Sequence, residues 1–168
     1  NVGFKALNEK YGYIFEAINN FLLYILMLVK NFLIQAPWPL VILGVVILTY
    51  FASGRKVGTT VFVGFCTFFI GFLHPIFWQK AIETTAIMVI SIFLCLIFGL
   101  PIGILMSRAE RIRNKILPIL DLMQTIPAFV YLIPGIMLFG LGAVPAIIAT
   151  FIYAVPPLVR LIDLGIRL

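Results

Sequence analysis

The chain has 168 residues, of which 63% are hydrophobic and 11% charged, and its mean hydropathy is +1.18. Too little polar surface remains to cover a soluble domain, so the composition excludes one and predicts an all-α integral membrane protein. The formal net charge of +6 comes from basic residues scattered singly or held in one short loop. That pattern fits membrane topology and anionic headgroups, not nucleic acid.

In chain order, residues 10 to 35 hold an apolar run, Phe21 to Val29, edged by Glu16, Asn19, Asn20, Lys30, Asn31 and Gln35 near helical spacing. This predicts an amphipathic interfacial helix, a scaffold region over residues 1–35. Pro37, Trp38 and Pro39 precede a first, short span over Leu40 to Ala52, closed by Ser53, Gly54, Arg55 and Lys56. A second span is expected from Val57 to Trp78, and together these form an accessory region over 36–80. A third span runs from Ala81 to Met106, a fourth from Ile116 to Gly140 and a fifth from Ala143 to Ile162. Asn1 is not a methionine, and Gly165 to Leu168 continue an apolar pattern, so the chain is expected to be cut at both ends.

Between the third and fourth spans lies a basic loop, Ser107 to Lys115, with Arg108, Arg111, Arg113 and Lys115 against Glu110. The positive-inside rule places it in the cytoplasm, and parity then puts Arg55, Lys56 and the Arg160–Arg167 end on the same side. The four cations are also candidates for contact with anionic lipid, where screened attraction would make them sensitive to ionic strength.

Catalytic and metal chemistry find no constellation. His74 is the sole histidine and precedes Pro75, there is no carboxylate pair, and Cys66 and Cys95 stand apart in apolar runs. The Gly99–Gly103 pair is a G-x-x-x-G that permits close helix approach. The segment Asp121–Leu161 carries Pro127, Pro134, Pro145, Pro156 and Pro157. Each removes a donor and leaves backbone groups that neighbouring helices or a polar path must satisfy. Asp121, Gln124 and Thr125 share one face by their offsets of three and four. Asp121 is expected to pair with the loop arginines, and Arg160 with Asp163. Gln124 and Thr125 either satisfy the Pro127 break or line a polar path.

The segments FGLPIGILMSR and LPILDLMQTIPAFVYLIPGIMLFGLGAVPAIIATFIYAVPPLVRL resemble the permease subunits of ATP-binding-cassette importers for glycine betaine, proline betaine and related quaternary-ammonium osmolytes. The order MQT-x-PAFVYL-x-P, MLFG-x-G, PP-x-x-RL carries the resemblance, which is close over Ala81 to Leu168. It implies a truncated five-helix core like that of methionine importers, in the cytoplasmic membrane of a bacterial cell. It further implies a homodimer with a second permease copy, two cytoplasmic ATPase subunits that bind ATP and magnesium, and an extracytoplasmic substrate-binding protein or fused domain. No cofactor is expected in this chain. The ATPase-docking loop of such permeases follows the PP-x-x-RL helix, after the last residue here. An aromatic cage captures a quaternary ammonium by cation–π attraction, and in such systems it is expected in the binding protein. Within this chain Gln124, Thr125, Phe129, Tyr131 and Tyr153 are the translocation-path candidates. The alternatives are a permease for an amino acid or other small cation, or a membrane scaffold that does not transport.

Overall fold

A computed structural model describes the backbone of residues 2–168 and the side chains of residues 12–168. Seven α-helices make up the described chain: α1 (Val2–Gln35), α2 (Trp38–Ala52), α3 (Val57–Leu73), α4 (Pro75–Arg108), α5 (Glu110–Thr125), α6 (Ala128–Phe139) and α7 (Ala143–Arg167). They form two compact units, one of Asn1–Ile25 with Ile87–Leu168 and the other of Leu26–Ala86.

The 26–86 unit centres on an antiparallel hairpin of α2 and α3. Pro37 caps α2 and Pro39 stands in its first turn, where a missing N–H costs nothing. At the far end the Arg55 N–H donates to the Tyr50 carbonyl at 2.9 Å and the Gly54 N–H to that of Phe51 at 3.3 Å. This paired pattern stops a helix and requires positive φ, which Gly54 and Arg55 both adopt at 65°. Gly64 then lies against Val46, and Gly71 against the Trp38 ring, fixing the antiparallel register. With 15 and 17 residues, α2 and α3 reach roughly 22 and 26 Å at 1.5 Å per residue, short of the ~30 Å hydrocarbon core.

The expected boundary between second and third spans, near Trp78 and Ala81, lies instead at His74. A residue before proline is driven out of the α region, and His74 is extended at φ −167°, ψ 143°. Its Nδ1 accepts the Ile76 N–H at 3.3 Å, so the sole histidine caps α4. Gln79 and Lys80 consequently sit inside α4, where Lys80 pairs with Glu83 at 3.0 Å.

In the other unit, α4 and α7 run parallel. Ser91 Oγ donates to the Ile147 carbonyl at 3.3 Å and Cys95 Sγ to that of Phe151 at 3.7 Å. Gly99 then meets Leu158, and Gly103 meets Val159 and Ile162. Four small residues at intervals of four, Ser91, Cys95, Gly99 and Gly103, thus form the face that lets the backbones close up. Met106 and Val159 are fully buried beside this seam.

The expected fourth span is not one straight helix. It breaks at Ile126–Pro127 into α5 and α6, whose axes differ by 89°. Because α7 begins beside Ser91 and ends beside Met106, the α5–α6 pair must return from the C-terminal end of α4 to the level of its middle. It is therefore a broken span, not a loop that re-enters and leaves on one side. The predicted basic loop is likewise almost all helical: α4 continues to Arg108 and α5 starts at Glu110, with only the extended Ala109 between.

Three helical stretches are long and apolar enough to cross a membrane, Gly12–Gln35, Pro75–Arg108 and Ala143–Arg167, and the broken pair makes a fourth. The first of these is the segment expected to lie in the interface. Its mean hydropathy of 1.7 over a spanning window equals that of α7, because the polar residues of its edge are few against the run from Phe21 to Val29.

Candidate functional site

The break at Pro127 is built around two carbonyls. In an unbroken helix the residue-126 and residue-127 amides would bond the carbonyls of Leu122 and Met123, but Pro127 has no N–H and Ile126 is extended at φ −85°, ψ 125°. Thr125 Oγ1 donates to the Leu122 carbonyl at 2.8 Å and the Tyr131 hydroxyl to the Met123 carbonyl at 2.9 Å. Tyr131 thus supplies from α6 the donor that proline removes from α5. Removing its hydroxyl with Tyr131→Phe should cost about 1–2 kcal/mol by leaving a carbonyl unpaired. Thermal unfolding of the purified protein in nanodiscs reads this directly, and an unchanged midpoint would show that the hydroxyl does not hold the corner.

The α6 helix lies along the start of α7, with Gly135 against Pro145. The two enclose a cleft of about 260 Å³ lined by Ala128, Phe129, Leu132, Ala146, Ala149, Thr150 and Tyr153. Positions 146, 149, 150 and 153 repeat at the spacing of one helix face. Three alanines leave the room, and Phe129 and Tyr153 stay 74% and 50% exposed. Of the five path candidates, Phe129 and Tyr153 come together here. Tyr131 turns to the helix break, while Gln124 and Thr125 are exposed on α5. Thr150 was not singled out from sequence. Its signal was its place between Ala146 and Tyr153 on one face, which becomes visible only once α6 is known to cover that face.

The charged residues pair both along helices, as Lys80–Glu83 and Asp163–Arg167 do, and across them, as Arg113–Asp163 and Arg160–Asp121 do. Arg160 bonds Asp121 from α7 to α5, where the sequence suggested the loop arginines as the partners of Asp121. Asp163, only 6% exposed at its side chain, accepts from Arg113 Nε and Arg167 Nε, both at 2.9 Å, and not from Arg160. Arg167 Nη2 also donates to the Met106 carbonyl at 2.9 Å. The carboxylate therefore ties the start of α5 to the end of α7, and Arg167 carries the tie on to the end of α4. The physical reason is tertiary: α5 packs against α7, which brings Arg113 and Asp121 beside the last turns of α7. Of the four candidate lipid-contact cations, Arg113 is committed to this clamp, whereas Arg108, Arg111 and Lys115 are exposed and make no ion pair among the described residues. No group of three or more histidine, cysteine or acidic side chains gathers at metal-binding distance among the described residues.

These features define a multi-pass α-helical membrane protein with one span broken at a proline corner. No family profile matches the chain. It is 39% identical over 135 residues to the Glycine betaine/proline betaine transport system permease protein ProW of Escherichia coli (strain K12), covering 80% of this chain and 37% of that protein. It is 40% identical over 120 residues to the Glycine betaine transport system permease protein OpuAB of Bacillus subtilis (strain 168), covering 71% and 41%. The Glycine betaine/carnitine transport permease protein GbuB of Listeria monocytogenes (serotype 1/2a, strain 10403S) is 39% identical over 133 residues, covering 78% and 46%. The chain belongs to the family of membrane permease subunits that these proteins represent, and it spans less than half the length of each of the three.

Proposed function

We propose that the chain is part of the membrane-spanning subunit of an ATP-driven importer of glycine betaine or a related compatible solute, and that it forms the translocation path by alternating access. The observation that carries this reading is an identity near 40% to permeases whose names specify glycine betaine, over a stretch that includes the broken span. In this reading hydrolysis occurs on separate ATPase subunits, two per complex, which bind ATP and magnesium. The permease works as a homodimer and receives solute from an extracytoplasmic binding protein or fused domain.

The geometry suits such a machine. The α4–α7 seam is close-packed, whereas the Pro127 corner holds α5 to α6 through one side-chain hydrogen bond, from the Tyr131 hydroxyl to the Met123 carbonyl, the Thr125 bond to Leu122 staying within α5. A corner of this kind absorbs a change of angle between two rigid arms, the hinge that alternating access requires. Residues 81–168 then belong to the moving core and residues 36–80 are accessory. The exposed Arg108, Arg111 and Lys115 face anionic headgroups on the cytoplasmic side.

The test is ATP hydrolysis by the full-length permease with its ATPase partner in lipid nanodiscs, titrated with binding protein with and without glycine betaine. Stimulation that requires betaine is the expected result. Stimulation that appears only with an amino acid or another cation would keep the importer and replace the solute. An unresponsive but competent ATPase would point to a scaffold.

A further inference from the structure

The α6–α7 cleft has a chemistry that selects among small cations. Its lining contains no charged residue, two aromatic side chains, three alanines, a leucine and two hydroxyls, those of Thr150 and Tyr153. Its volume of about 260 Å³ falls just below the ~300–1,000 Å³ of ordinary small-molecule sites, which leaves room for a compact headgroup and not for an extended ligand. Thr49, Thr67, Thr84, Thr85 and Thr125 each return their hydroxyl to a carbonyl of the same helix and Thr60 to that of the N-cap Lys56, whereas Thr150, like Thr59, makes no such bond among the described residues.

A primary ammonium brings three N–H donors that must be satisfied wherever water is displaced, and the two hydroxyls of the lining are fewer than the donors. A trimethylammonium group brings none. Its charge is spread over methyl groups that pack against alanine and are attracted to aromatic faces. An anionic group attached to it by one or two carbons has the Thr150 hydroxyl as a donor. We propose that this cleft is a transient site for the headgroup of a quaternary-ammonium solute, with Phe129 and Tyr153 as the aromatic contacts and Thr150 as the polar one. The proposal rests on the importer reading and sharpens it, because it makes the permease itself discriminate against primary amines. Two aromatic contacts without a fixed counter-charge hold a cation weakly, as a site that must release its cargo inward requires. Opening the Pro127 corner would move Phe129 on α6 away from Tyr153 on α7 and dismantle the site.

The experiment is betaine uptake into proteoliposomes containing the full-length permease, its ATPase and its binding protein, with Phe129 replaced in turn by mono-, di- and trifluorinated phenylalanine. Fluorination withdraws the ring's negative face while nearly preserving its shape, so a variant that folds as before still reports on the cation. Uptake is expected to fall stepwise, reaching roughly threefold to tenfold for the trifluoro ring. Phe129→Leu and Tyr153→Leu should lower it further, with partial recovery in Phe129→Tyr. The same fluorinated series at Phe62, an exposed ring on α3, should leave uptake unchanged. A flat response at Phe129 with intact uptake by the unmodified protein would overturn the cleft and spare the importer. Absence of betaine uptake by the unmodified protein would overturn the importer reading, and the cleft with it.

Discussion

Replacing Asp163 by Asn is expected to destabilise the protein by about 3 kcal/mol. The carboxylate is 6% exposed and sits between Arg113 and Arg167, both at 2.9 Å. An amide of the same shape keeps one acceptor oxygen for one guanidinium and turns its NH2 donors to the other, which has only donors to offer. The positive charges of Arg113 and Arg167 then face each other with no negative charge between them. Arg113 and Arg167 remain 36% and 32% exposed, so water recovers part of the loss, and the expected cost lies at the low end for a broken buried pair. Thermal unfolding in nanodiscs measures it. The comparison that separates charge from packing is Asp163→Leu alone against Asp163→Leu with Arg113→Met. The double variant should be the more stable of the two, because it buries one less unpaired cation. Equal midpoints for wild type and Asp163→Asn would show that the clamp contributes nothing to holding α4, α5 and α7 together.

That clamp also marks where reading the sequence stops. Proline positions were legible: Pro127 does break a helix, and the turn at 53–56 does close α2. The all-helical membrane class followed from composition. What could not be read was which partner each charge finds. Arg160 and Asp163 stand three apart, the usual signature of a pair on one helix, yet Arg160 takes Asp121 and Asp163 takes Arg113, 39 and 50 residues away. Local spacing measures only the neighbours that a helix supplies to itself. The packing of α5 on α7 is a tertiary fact: it adds Arg113 to the Arg167 that α7 itself supplies to Asp163, and it gives Arg160 the Asp121 carboxylate instead.

The same limit governs the cleft. Phe129 and Tyr153 were candidates because aromatic faces along the path attract a cation, and Tyr131 qualified on the same ground. Only the 89° corner separates them. It directs the Tyr131 hydroxyl back to Met123 and leaves Phe129 beside the 146–153 face of α7. The shift of the α3–α4 boundary from Lys80 to His74 has a different origin. A lysine among apolar residues looks like the end of a span, but a proline constrains the backbone before it outright, whereas a lysine within a helix end can extend its ammonium to water.

Gly99→Ala and Gly103→Ala, the same substitution one turn apart, should differ sharply. At Gly99 an added Cβ comes to 2.9 Å of Leu158 Cδ2, the far end of a flexible side chain that changes rotamer at small cost. At Gly103 it comes to 2.7 Å of both Cβ and Cγ2 of Ile162, with the Val159 carbonyl at 3.2 Å. A β-branched root and a backbone oxygen can yield only if α7 itself moves. Gly99→Ala is therefore expected to change stability by less than about 1 kcal/mol, and Gly103→Ala to cost about 2–3 kcal/mol as α4 and α7 are forced apart. Gly103→Val should be worse than either. The separation has a second consequence, because the Arg167–Met106 hydrogen bond spans the same end of the seam at 2.9 Å. Gly103→Ala should stretch it, so that adding Arg167→Met costs less in the Gly103→Ala background than in wild type, a non-additivity that thermal unfolding of the four proteins would reveal. Strict additivity, or equal losses at Gly99 and Gly103, would mean that α4 and α7 slide past the added methyl, and the seam would then be the moving part of the core and the Pro127 corner the fixed one.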